Sequence, residues 1–235
     1  MPYILGMTEP DGSTEPFTNR DVVVVGASAG GVAAVTRLAK LLPPDLPAAV
    51  LLVIHRGIGK PAYLAEILDG LGTLRAVLAE EGMKLERGRI YTAPPDRHLL
   101  VGKDHVHVRR GPRENRVRPA IDPLFRSAAV NCTTRVIAVV LTGMQDDGTA
   151  GLLAVKRCGG LALVQDPSEA PFDQMPRSAL AHVEIDHTAP LAGLADLLVE
   201  LVRQPCPPPG EPPERLRIEA LIAAQELIVE PDRNP

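Results

Sequence analysis

Four consecutive valines, Val22–Val25, run through Gly26-Ala27-Ser28-Ala29-Gly30-Gly31 into a segment with apolar residues at helical spacing, Val32–Leu42. An unbroken run of β-branched residues suits a strand buried on both faces, as in a parallel sheet. The helical pattern stops before Pro43-Pro44, which cannot continue it. The turn between strand and helix reads Gly-x-Ser-x-Gly. This is the nucleophile-elbow pattern, in which a tight turn lifts a hydroxyl above the sheet edge and glycines let backbone and substrate approach it. The adjoining helix N-terminus offers unpaired N–H groups and a positive dipole end, suited to an oxyanion. Two other readings fit the same residues: a glycine-rich phosphate loop, or a purely structural turn. Neither Gly-x-Gly-x-x-Gly nor Gly-Lys-Ser/Thr is present to favour the phosphate loop.

The rest of the chain continues the alternation of strand and helix. Strands are expected at Ala48–Ile54, Arg89–Ala93, Arg135–Leu141 and Leu161–Val164. Helices are expected at Pro61–Leu68, Asp122–Asn131, Thr149–Arg157, Pro176–Ala181 and Ala189–Val202. Asp122 would cap its helix, with proline in the first turn. Leu99–Val101 and Val106–Val108 flank Gly102-Lys103-Asp104 and predict an antiparallel hairpin. This order implies βαβ units and an α/β fold: a mostly parallel, doubly wound, Rossmann-like sheet with helices on both faces and an added antiparallel hairpin. Residues 1–20 read as a flexible lead and 21–203 as the folded domain. Residues 204–235 read as a tail, with a proline-rich linker through Pro213 and an amphipathic helix over Glu214–Val229.

Hydrophobic residues make up 45% of the 235 positions, enough for a sizeable core, and that core must be aliphatic because Trp is absent and Phe and Tyr number three each. A net charge of −4 gives no electrostatic footprint for nucleic acid, and scarce aromatics leave no stacking surface for single strands. Cys132, Cys158 and Cys206 are odd in number and outside any Cys-x-x-Cys, which fits a reducing compartment and no zinc site. The longest apolar run, around Ala48–Ile54, is too short to span a bilayer, and the start lacks a basic n-region. A cytoplasmic protein without membrane insertion is expected.

Parallel strands deliver their following loops to one sheet edge, where ligands bind. Just past three of the expected strands come Ser28, His55 and the pair Asp146-Asp147. A nucleophile, a general base and an acid to orient the imidazole are what a serine hydrolase needs. Each also has an ordinary structural role, since histidines after strands sit on surfaces and aspartates before Gly148 cap helices or form turns. The remaining histidines, including His98, His105, His107, His182 and His187, read as surface positions on the hairpin and helices. The order Ser…His…Asp differs from the Ser…Asp…His of ordinary α/β-hydrolases.

Six stretches resemble one family: Val25–Gly31, Val53-Ile54-His55, Ile90–Val101, Arg118–Ala129, Val140–Gly151 and Met175–Ala179. Together they are similar to the catalytic domain of the CheB-type chemotaxis methylesterases, over about residues 21–200. The resemblance implies a parallel α/β sheet with an added hairpin. It implies hydrolysis of glutamate methyl esters on the cytoplasmic helices of methylated chemoreceptors, often with deamidation of receptor glutamines, and no cofactor. The family's serine, histidine and aspartate map to Ser28, His55 and Asp147. Met144 matches a methionine beside the family's histidine. Backbone N–H groups around Ala29, Gly30 and Gly31, with Met144, are expected to hold the oxyanion, and Asp146 to form the turn. The arginines at 109, 110, 113 and 116 read equally as a guide for an acidic receptor helix or as a solvated loop. Ala29 stands where the family often has Thr, and Ile54 where it often has Gln. Twenty residues before the domain cannot hold a receiver domain, so a stand-alone form is expected. Two rival readings are a non-catalytic binding module of the same fold and a small-molecule carboxylesterase.

Overall fold

A computed structural model describes residues 19–55 and 63–224. The valine run forms β1 (Val22–Ala27), followed by α1 (Gly31–Leu41), β2 (Ala49–Ile54), α2 (Leu64–Asp69), β3 (Arg75–Leu78) and β4 (Arg89–Thr92). A hairpin of β5 (His98–Val101) and β6 (Val106–Arg109) leads to α3 (Ile121–Cys132), β7 (Val136–Val140), α4 (Thr149–Arg157) and β8 (Leu161–Gln165). The chain continues through α5 (Gln174–His182), β9 (His187–Ala189), α6 (Leu191–Leu201) and α7 (Glu214–Ala223).

Seven strands form one sheet in the order β3-β4-β2-β1-β7-β8-β9, and every pairing in it is parallel. Strands β5 and β6 pair antiparallel beside it. The chain places β2, β3 and β4 on one side of β1, with β4 inserted between β3 and β2, then returns to place β7 on the other. The order therefore reverses at β1, and a crevice opens past the carboxyl ends of β1 and β7. Side chains alternate across the pleat. Val22 and Val24 join a core with Phe125, Leu152 and Val155, while Val23 and Val25 join another with Val35, Leu38 and Leu198. Both faces of β1 are thus covered, which is why its sequence shows no polar alternation. At Gly26 α3 passes close against β1, since a Cβ there would collide with Ile121.

Several elements depart from the sequence expectation. Strands β3 and β9 carry no clear signal in the sequence. They are short edge strands, and β3 is mostly exposed or half-buried. Helix α3 begins at Ile121 with Ala120 as its N-cap, and Asp122 lies inside the first turn. His98, expected at the surface, is fully buried. It bonds the Pro112 carbonyl through Nε2 at 2.8 Å; burial lowers its pKa and outweighs that contact, which favours the protonated ring. Helix α7 turns Leu216, Ala220 and Ala223 inward against α3 but leaves Ile218, Leu221 and Ile222 exposed, so it is not cleanly amphipathic. Parts of three expectations lie outside the described residues: most of the N-terminal lead, the start of the Pro61–Leu68 helix and the end of the Glu214–Val229 helix. Among the described residues no helix is long and apolar enough to cross a membrane.

Candidate active site

Three adjacent strands supply the expected residues: β1 ends before Ser28, β2 before His55, and the loop after β7 carries Asp147. The parallel ladder runs one step past the strands. Leu141 N–H donates to the Gly26 carbonyl at 2.9 Å, Ser28 N–H to the Thr142 carbonyl at 3.0 Å, and His55 N–H to the Ala27 carbonyl at 3.0 Å. These bonds set the three loops at fixed heights above the sheet.

The serine sits on a tight turn. Gly31 N–H donates to the Ser28 carbonyl at 2.9 Å, and Gly30 adopts φ +75°, a conformation that favours glycine. A Cβ on Gly31 would meet Ala27 and Ile54, so this glycine serves the close packing of α1 on the sheet. Of the expected oxyanion donors, Gly31 is therefore committed to the turn. The N–H groups of Ala29, Gly30 and Met144 bond no other described residue. Thr142, fully buried, stitches the site together. Its Oγ1 lies 3.1 Å from the Ala29 carbonyl and accepts from Phe172 N–H at 3.0 Å, while its own N–H donates to Gln165 Oε1 at 2.9 Å.

His55 and Asp147 are in contact, Nε2 to Oδ2 at 2.5 Å, with side chains 15% and 2% exposed. The nitrogen left to act as a base is Nδ1, the reverse of the serine-protease arrangement, where Nδ1 faces the aspartate. Ser28 Oγ makes no hydrogen bond to another described residue. Hydrogen bonds of this kind commonly tighten only with substrate bound.

Asp147 is held by more than His55. Its Oδ2 also accepts from Ile121 N–H at 2.8 Å, and its Oδ1 accepts from Asp122 N–H at 3.0 Å and Asn115 Nδ2 at 2.7 Å. The first two donors are the opening N–H groups of α3, so Asp147 caps that helix from 25 residues away or more. Burial opposes ionisation of Asp147, but the His55 contact and these N–H donors outweigh it and hold its pKa low.

Asp122 is a partner that sequence reasoning took for an ordinary cap. Because Asp147 caps α3, the Asp122 carboxylate is free to turn the other way. Its Oδ1 accepts from Gly148 N–H at 2.9 Å and Gly151 N–H at 2.7 Å, capping α4. Its Oδ2 accepts from Asn115 Nδ2 at 2.9 Å. Burial, then the neighbouring Asp147 charge, push its pKa up to about 7. The aspartate-proline pair in Arg118–Ala129 is the one sequence signal that marked this position, and it suggested a local cap. Asn115 carried no signal, and Thr142 none beyond its place in the Val140–Gly151 stretch.

Asp146 acts as expected in the turn, its carbonyl accepting from Thr149 N–H at 3.1 Å. Met144 lies on the same loop with its side chain half exposed, and Phe172, also exposed, lies against Gly30. Of the four loop arginines, Arg109 pairs with Glu81, and Arg110 and Arg113 pair with Asp96. These three are engaged within the fold. Among the described residues no group of three or more His, Cys, Asp or Glu side chains is arranged to hold a metal ion.

Comparison with known proteins places this geometry in context. The family model for CheB methylesterase matches residues 23–198. A Methanosarcina mazei protein named protein-glutamate methylesterase/protein-glutamine glutaminase 2 is 38% identical over 197 residues, covering 80% of this chain and 54% of its own. A Burkholderia pseudomallei protein named protein-glutamate methylesterase/protein-glutamine glutaminase 1 is 38% identical over 194 residues, covering 78% of this chain and 53% of its own. This chain thus spans about half the length of each of these relatives. The crystal structure of the Thermotoga maritima CheB methylesterase catalytic domain is similar with TM-score 0.74 and 33% identity, covering 77% of this chain and 98% of that one.

Proposed function

Because this chain belongs to the CheB methylesterase family, we propose that it is a serine hydrolase removing methyl esters from glutamate side chains of methylated chemoreceptors. The observation that carries the reading is the 2.5 Å contact of His55 with a buried, four-fold hydrogen-bonded Asp147, delivered to the same sheet edge as Ser28.

The chemistry is acyl transfer in two steps. His55 Nδ1 takes the Ser28 proton as Oγ attacks the ester carbonyl, and Asp147 stabilises the imidazolium through Nε2. N–H groups of Ala29 and Met144 receive the developing oxyanion, Ala29 being the residue after the nucleophile. The imidazolium returns its proton to the methoxide, and methanol leaves. Water activated by the same base then releases the glutamate and frees Ser28. A primary amide follows the same path with ammonia as leaving group, which supports glutamine deamidation as a second activity, in line with the glutaminase in the relatives' names. Met144 and Phe172 offer apolar contact for the substrate's methyl and methylene groups.

The test is methanol release from a methylated receptor cytoplasmic fragment. The parent protein should release methanol, and folded Ser28→Ala should release essentially none. Parental turnover by folded Ser28→Ala overturns the mechanism. A parent that cleaves short soluble esters but not the receptor fragment is instead a small-molecule esterase. A parent that binds the fragment and cleaves neither substrate is a binding module.

A further inference from the structure

Asn115 is exposed on the surface, yet its Nδ2 reaches 2.7 Å from Asp147 Oδ1 and 2.9 Å from Asp122 Oδ2. One amide nitrogen with two hydrogens therefore bridges two buried carboxylates. We propose that Asn115 is a positioning residue for hydrolysis, its amide fixing the carboxylate that orients His55. This inference rests on the serine-hydrolase reading above.

The local backbone is built to hold that amide in place. Glu114–Val117 is a tight turn closed by Val117 N–H to the Glu114 carbonyl at 2.9 Å, with φ +49° at Asn115 and +64° at Arg116. Two central residues with positive φ are the signature of a type I′ turn. Asparagine tolerates the first position, but arginine at the second is disfavoured. Such a conformation persists only where its surroundings over-determine it. Here both ends are clamped. Arg126 of α3 grips both Glu114 carboxylate oxygens at 2.6 and 2.8 Å. Arg118 holds Asp96 Oδ1 at 2.8 and 3.0 Å and the Gly111 carbonyl at 2.6 Å. An exposed side chain contributes little to a core, so packing does not explain this rigid placement.

The bridge also has an electrostatic consequence. Without a donor between them, two close carboxylates compete for protons. With it, each carboxyl group gains a hydrogen bond, and Asp147 stays the ionised partner of His55. Beneath the bridge is a cavity of about 310 Å³ lined by Asn115, Asp122, Asp146, Thr149, Ser178 and His182. The titratable and charged groups around Asp147 are His55, Asp122, Asp146, His182, Glu114 with Arg126, and His98, whose charge interaction with Asp147 is favourable.

The experiment compares the parent with Asn115→Ala, Asn115→Ser and Asn115→Asp on a methylated receptor fragment, with kcat and KM measured across pH and melting temperature measured in parallel. Asn115→Ala should lower kcat about tenfold with KM unchanged, and move the acidic limb of the rate profile up by about one unit, the size of one N–H donor lost to a carboxylate. Asn115→Asp keeps the shape but replaces the donor with a third carboxylate facing two others, and should lose at least as much rate as Ala and move the limb further up. Serine keeps one O–H donor and should recover part of the rate. If Asn115→Ala does not fold, the Asp and Ser variants carry the same comparison. A merely structural role would lower melting temperature and rate together and leave the limb in place, and that result overturns the inference. So does parental kcat in a folded, donorless variant. A parent without any esterase activity instead removes the hydrolase reading itself.

Discussion

Asp122 and Asp147 cap each other's helices: Asp147, just before α4, accepts the first N–H groups of α3, and Asp122, in the first turn of α3, accepts N–H groups at the start of α4. The carboxylate proposed to orient His55 is thereby tied to two helices as well as to its own loop. Its position depends on α3 and α4 packing together, and a change at either aspartate is felt at both helix ends. The arrangement places two carboxylates side by side, which would repel if both were ionised in isolation. The five backbone N–H and amide donors gathered around them offset that cost.

Asp147→Asn should reduce turnover by roughly 10⁴-fold, by analogy with the protease triad. A carboxamide can present its NH₂ to Nε2, leaving the proton on Nδ1, where it blocks the base. Asp146→Asn should change kcat only a few-fold, because Asp146 contributes its backbone carbonyl to the turn. Steady-state kinetics of the two purified variants decide the assignment, and an equal or larger loss at Asp146 would reverse it.

The parts of this molecule legible in the sequence are those fixed by local pattern. The valine run, the glycine turn, the helix stops and the hairpin each follow from residues that are neighbours in the chain, and β1, α1, β2, β7 and α4 fall within about a residue or two of expectation. That Ser28, His55 and the pair Asp146-Asp147 meet at one edge was legible because strand ends of a parallel sheet share it, and the choice of Asp147 from the pair came from the family resemblance. Asp122 was misread because its helix is capped from a residue 25 positions away, and no local rule sees a donor or acceptor so distant. The edge strands β3 and β9 take their structure from pairing with β4 and β8, so propensity alone does not reveal them. His98 was misread for a related reason. Its polar ring is buried only because the Pro112 carbonyl and the Ala120 N–H meet it there.

Stability should fall as pH rises from about 4 to 7, through Asp122. Burial and the Asp147 charge raise its folded-state pKa to about 7, above the unfolded carboxylate value of about 3.9. The folded state therefore holds a proton that the unfolded state has lost, and the stabilisation present below the unfolded value disappears through the folded one. Asp147, with its pKa held low, contributes in the opposite sense and at more acidic pH. Buried neutral His98 also opposes the trend, since its lowered pKa favours unfolding as pH falls. Asp122→Asn isolates the effect. Urea midpoints at pH 5 and pH 8 should differ less in this variant than in the parent, and an unchanged difference would remove Asp122 as the cause.

A third buried aspartate serves stability alone. Asp21, at the start of β1, accepts from Arg135 Nε at 2.8 Å and Arg87 Nη2 at 3.2 Å. It lies at the end of the sheet opposite Ser28, His55 and Asp147. Asp21→Asn should cost about 1–3 kcal/mol, below the full value for a broken buried pair because Arg87 is largely solvated. Its kcat should match the parent's. Chemical denaturation and initial-rate kinetics on the same preparation test both halves, and a large loss of kcat in a folded sample would contradict the separation.

Gly143→Ala tests whether the loop after β7 sets the position of Ser28, the proposed nucleophile. A Cβ on Gly143 would fall 2.8 Å from Ser28 Cβ and collide with Met175, which is fully buried. Met175 is flexible at its thioether, but it has no solvent space to enter. The serine Cβ is held by a turn bonded to Thr142. The added methyl must therefore push the serine or open the loop. A displacement near 1 Å costs about 10²-fold in a positioned reaction, whereas overpacking of this size costs about 1–3 kcal/mol of stability. Gly72→Ala provides the contrast. Gly72 has positive φ, +72°, and a Cβ there meets nothing within 4 Å, so the variant should lose about 1 kcal/mol and keep its kcat. Gly143→Ala should thus lose turnover far out of proportion to its change in melting temperature. If it instead retains parental kcat while folded, the β7 loop does not fix Ser28, and the position of the nucleophile is set by the glycine turn alone.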